Sequence, residues 1–125
     1  MKTVLCFGNP YIKGDSISVQ LAKELEIPNY EFVVCIYPDE LYNYKNLDEV
    51  YIMDVVHGID KVELITDLDK LKSNRPISLH DFDVGFFLKL MQATGRSISI
   101  KVIGLPLGVK KEVIKEQVEL LLSKD

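Results

Sequence analysis

The sequence predicts an α/β protein: a three-layer sandwich with a mostly parallel five-stranded sheet and helices on both faces. Three observations predict it. Apolar runs rich in Val, Ile and Leu recur at residues 3–7, 31–37, 50–56 and 97–103. Amphipathic runs with helical spacing alternate with them. Clusters of Gly, Pro and Asn punctuate the two kinds of run. The 125 residues form one expected domain, 1–125, long enough to bury a core without staples.

In chain order, residues 3–7 are expected to form the first strand. The turn-rich stretch Gly8-Asn9-Pro10 to Gly14 leads into a helix over 16–26. Ile17, Leu21, Ala22 and Leu25 give that helix its buried face, and Pro28 stops it. The continuous apolar run 31–37 suits a strand buried on both faces. Residues 38–46, with Tyr42 and Tyr44, read as a short helix or ordered loop. A third strand follows over 50–56, broken by His57-Gly58, and a fourth, an edge strand, over 61–66. A second long helix, reaching Ala93, carries the stripe Val84, Phe87, Leu88 and Met91. The fifth strand is expected over 97–103, with Gly104, Pro106 and Gly108 as loop, and the last helix over 110–123. Right-handed crossovers then bring the loops after strands one, three and five to one edge.

Composition narrows the function. A formal charge of −4 offers nucleic acid and anionic membranes no general attraction. No apolar run approaches the roughly 20 residues that span a bilayer. The first strand begins almost at Met1, with no signal peptide before it, so a cytoplasmic location is expected. Cys6 and Cys35 fall inside apolar runs, as buried reduced thiols do.

Three residues stand out as carriers of chemistry. Asp15 ends the loop after the first strand. Asp54 sits in the apolar run Ile52-Met53-Asp54-Val55-Val56. His80 precedes the second long helix. Two carboxylates and an imidazole on one edge would suit a borderline divalent ion such as nickel, zinc or cobalt. Each residue also has a plainer reading. Asp15 can cap its helix. Asp54 can be a structural hydrogen-bond acceptor, although a buried carboxylate needs some partner. His80 can be a surface or capping residue. His57 is a second candidate ligand but reads as a turn residue. Other site types fail on pattern: no Gly-Lys-Ser/Thr closes the glycine loop, no dinucleotide fingerprint is complete, and no serine has a nucleophile-elbow context.

The motifs Phe7-Gly8-Asn9-Pro10-Tyr11-x-x-x-Asp15, Ile52-Met53-Asp54-Val55-Val56 and Ser78-Leu79-His80-Asp81 resemble those of the hydrogenase maturation proteases. Asp15 falls on the second acid of that family's acidic pair, Asp54 on its strand-three aspartate and His80 on its Ser/Thr-x-His. The resemblance implies an endopeptidase that removes a C-terminal extension from the nickel-loaded precursor of a [NiFe] hydrogenase large subunit. It implies that Asp15, Asp54 and His80 are the catalytic and metal-contacting residues. The nickel is supplied by the precursor, so no tightly held cofactor is expected, and the free chain is expected to be a monomer. The chain departs from the family pattern at Gly14, where the first acid belongs, and at Ser16 and Ser18, where glycines belong. Its shortened region over 55–62 and compact end resemble a compact, archaeal-like branch. A non-cleaving factor that binds precursor or metal is the alternative reading.

Overall fold

Lys2–Phe7 form β1, the second strand of a five-stranded sheet with order β2-β1-β3-β5-β4. The computed structural model describes residues 1–8, 11, 16–37, 40, 43–44, 46–66 and 99–125. β2 is Tyr30–Cys35, β3 Glu49–Val55, β4 Glu63–Ile65 and β5 Ser99–Leu105. β2, β1, β3 and β5 run parallel, and β4 closes the far edge antiparallel to β5. The mostly parallel sheet is the one expected, including the short fourth strand at an edge.

Two helices are described: α1, Ile17–Glu24, between β1 and β2, and α2, Lys111–Lys124, after β5. Both pack on the same face. Leu21 and Leu25 of the α1 segment and Ile114, Val118 and Leu122 of α2 form one core with Val4, Cys6, Tyr51, Met53, Val55, Ile103 and Leu105. Alternation along the strands sends Leu5, Phe7, Val50, Ile52 and Val102 to the opposite face, where they are just as buried. The helix predicted to reach Ala93, and with it the expectation of helices on both faces, lies outside the described residues.

Two expectations are corrected. The run 31–37 is not buried on both faces: as β2 it is the edge strand beside β1, and Phe32, Val33 and Val34 are only half-buried. An apolar run reports affinity for the sheet, not the number of neighbours it will have. The fifth strand also runs later than expected and takes in Gly104 and Leu105, which the loop reading had excluded. Gly104 stays in the ladder because its neighbours need the room. A Cβ there would stand 3.0 Å from Cγ2 of Val56 and 3.3 Å from Cδ1 of Ile59.

The topology creates one special place. The chain leaves β1, moves outward to β2, then returns across β1 to β3. The strand order reverses between β1 and β3, and open α/β sheets bind ligands at the carboxyl ends of strands beside such a switch. The segment after β1 and the last residues of β3 therefore flank the position where a site is expected.

Candidate functional site

Asp54 is the sixth residue of β3, near its carboxyl end, and is fully buried. Its Oδ1 accepts the N–H of Val55 at 2.9 Å. Alternation places it on the face of Val50 and Ile52. Its register partner on β5 is Gly104, which brings no side chain to that spot. A carboxylate is costly to bury, and a sheet rarely spends a central position on one without a use for the charge.

Asp15 and His80 lie outside the described residues. The ends of the segment that carries Asp15 are described. β1 ends at Phe7 beside β3, and the chain returns at Ser16, the N-cap of α1. Ser16 makes no side-chain capping bond; its Oγ instead accepts from Nε2 of Gln20 at 2.9 Å. Two residues on, Ser18 is fully buried, and its hydroxyl donates to the carbonyl of Met53 at 2.8 Å. The first turn of α1 is thereby tied to the residue just before Asp54. Sequence reading saw Ser18 only as a departure from a glycine. The available signal was a small polar residue on the buried side of an amphipathic helix.

His57 occupies the turn with Gly58, whose φ of +83° only glycine adopts freely, in accord with its turn reading. Cys6 and Cys35 are buried free thiols, as expected. Burial pushes the Cys6 thiol far up and that of Cys35 up to about 12, so neither supplies a thiolate nucleophile near neutral pH. Among the described residues no group of three or more His, Cys, Asp or Glu could hold a metal. Two of the three predicted ligands are not among them. No described helix is long and apolar enough to cross a membrane.

Solved structures share this architecture over nearly the whole chain. The [NiFe] hydrogenase maturation protease HybD from Thermococcus kodakarensis superposes with a TM-score of 0.73 at 20% identity, covering 99% of this chain and 98% of that one. The fold is that of the hydrogenase maturation proteases. The hydrogenase maturating endopeptidase HybD from E. coli gives a TM-score of 0.70 at 19% identity, over 98% of this chain and 90% of its own. The endopeptidase HycI from E. coli gives 0.64 at 16% identity, over 99% and 88%. No protein-family model and no curated protein matches the chain.

Proposed function

We propose that the chain is an endopeptidase that removes a C-terminal extension from the nickel-loaded precursor of a [NiFe] hydrogenase large subunit. The substrate's nickel is recognised by Asp15, Asp54 and His80. The observation that carries this reading is Asp54: a fully buried carboxylate at the carboxyl end of β3, beside the topological switch, in the fold of the maturation proteases.

The chemistry follows from the donor set. Two carboxylates and an imidazole match a borderline divalent cation. A buried carboxylate is poorly solvated, so an arriving cation gains more from it than from one in water. Nickel in this scheme is part of the substrate. A precursor without it presents no cation to the three donors and does not dock, which makes recognition a checkpoint on metal loading. Three protein donors hold a free ion weakly, so the resting chain keeps no cofactor. It acts as a monomer in the cytoplasm.

Mixing the purified chain with nickel-loaded precursor is expected to shorten the precursor by one defined C-terminal peptide, read by mass spectrometry. Nickel-free precursor should stay intact, and Asp15→Ala or His80→Ala should prevent the cut. Intact nickel-loaded precursor after prolonged incubation with the wild-type chain would refute the endopeptidase reading. Binding without shortening would identify a non-cleaving maturation factor instead.

A further inference from the structure

A cavity of about 170 Å³ opens between the first turn of α1 and the segment joining β5 to α2. Ser16, Ile17 and Gln20 form one wall, and Leu107, Val109 and Ile114 form most of the other. Ser16 directly follows Asp15 in the chain, and Leu107 leaves the carboxyl end of β5, the strand paired to β3 along its whole length. The cavity thus opens at the same carboxyl edge of the sheet as Asp54, on the face that α1 and α2 cover, with Asp54 on the other face. We propose that it is a subsite that takes one apolar side chain of the precursor's extended polypeptide. This rests on the endopeptidase reading and names a specificity element within it.

Size argues for this occupant. Sites for cofactors and small molecules run to about 300–1,000 Å³, so this cavity is too small for one and suits a single aliphatic side chain. The lining is mostly apolar, with one amide. Gln20 is positioned by its bond to Ser16, and its side-chain carbonyl can accept a peptide N–H from a strand lying across the opening. Gly108, at φ +76°, turns the chain at the rim, and no atom would lie within 4 Å of a Cβ there. The mouth is open.

The surroundings argue for a polypeptide. Seven large hydrophobic residues are exposed among the described residues. Four of them, Tyr11, Ile36, Tyr37 and Leu107, sit on segments leaving the carboxyl ends of β1, β2 and β5. Ile36 and Tyr37 are held in place, because their N–H groups both donate to Oε2 of Glu40, at 2.5 and 2.7 Å. Exposed apolar groups along the edge where a side-chain pocket opens are the anatomy of a protein-docking surface.

The test is binding, so that it stands apart from cleavage. Fluorescently labelled nickel-loaded precursor is titrated with wild type, Gln20→Trp, which fills the cavity, Leu107→Asp, which charges its wall, and Leu120→Asp as a control. Gln20, Leu107 and Leu120 are all exposed, so the three variants should fold, checked by an unchanged melting temperature. The first two variants are expected to raise Kd by at least about tenfold, as loss of an interface anchor does. Leu120→Asp should leave it unchanged. Equal Kd for wild type, Gln20→Trp and Leu107→Asp overturns the subsite, as does an equal loss in Leu120→Asp. Wild type that binds but does not cut refutes the endopeptidase reading, and the subsite is still read from the Kd series. Wild type that binds no precursor overturns both.

Discussion

The two edges of the sheet are built on opposite rules. At the amino edge, charge and aromatic surface are paired off. Lys101 Nζ lies 3.3 Å from Oδ2 of Asp125, 3.6 Å from Oε2 of Glu49 and 5.4 Å from the centre of the Tyr51 ring. The Tyr51 hydroxyl donates to Asp125, and Lys2 reaches the rings of both Tyr30 and Tyr51. Those rings meet edge to face at 5.7 Å. At the carboxyl edge the assignment reverses: Tyr11 and Tyr37 are exposed, and a carboxylate, Asp54, is buried. Under the proposed function, the difference separates stability from function. The amino edge hides its aromatic rings and neutralises its charges, as a surface does when it has no partner. The carboxyl edge exposes apolar surface and buries a carboxylate, and the proposed function gives both a use in binding the precursor.

Paired substitutions test that separation. Asp54→Asn is expected to cut processing of nickel-loaded precursor by at least about a hundredfold, about 2.7 kcal/mol at the barrier. Its stability should change by less than about 1 kcal/mol, because the amide oxygen can still accept from Val55. Tyr51→Phe should do the converse. It removes a hydrogen bond to a carboxylate and should cost about 1.5–3 kcal/mol in denaturant unfolding with processing intact. A stability loss with retained activity in Asp54→Asn would make that carboxylate a strut. An activity loss at unchanged stability in Tyr51→Phe would show that the two edges are not independent.

The two edges also differed in how far they could be read in advance. Asp54 was legible because a charged residue within an apolar strand violates the local pattern. β1, β3, β5 and α2 were legible because period and burial agree along them. The amino-edge network was invisible because Tyr51 and Asp125 are 74 residues apart and meet only through the packing of α2. The half-burial of β2 was equally hidden, since a Val-rich strand looks the same with one neighbour or two. Gly104 read as loop because a glycine near a proline usually is one. It is strand because it pairs with Asp54 in the ladder, and glycine suits the place because a Cβ would press on Val56 and Ile59.

Ser18 joins the edge to the core and gives a smaller, sharper test. Ser18→Ala leaves the Met53 carbonyl without its hydroxyl donor, at an expected cost of about 1 kcal/mol. If the bond only stabilises α1, processing should keep its rate once the protein is folded. If it sets the spacing between the segment after β1 and the end of β3, kcat should fall by about threefold to tenfold with KM little changed, a barrier change of about 0.6–1.4 kcal/mol. The second outcome is expected, because the bond lands on the residue next to Asp54.

The smallest effect is expected from acid, at the amino edge. The hydrogen bond from Tyr51 holds the Asp125 carboxyl below its ordinary value, and Lys101 and Lys2 add to the shift against the opposing effect of burial. A carboxyl lowered on folding binds fewer protons in the native state than in the unfolded one. Its contribution is fully present above its ordinary value, near pH 4, and is lost as pH falls through the lowered native value. The stability gap between wild type and Asp125→Asn should therefore be constant from pH 7 to about pH 5 and close below about pH 4, read by denaturant midpoints. A gap that persists unchanged at low pH would mean that Asp125 acts through packing rather than charge. The amino edge would then owe its stability to the edge-to-face rings of Tyr30 and Tyr51, and the contrast between the two edges would rest on apolar surface alone: buried at one end of the strands, exposed at the other.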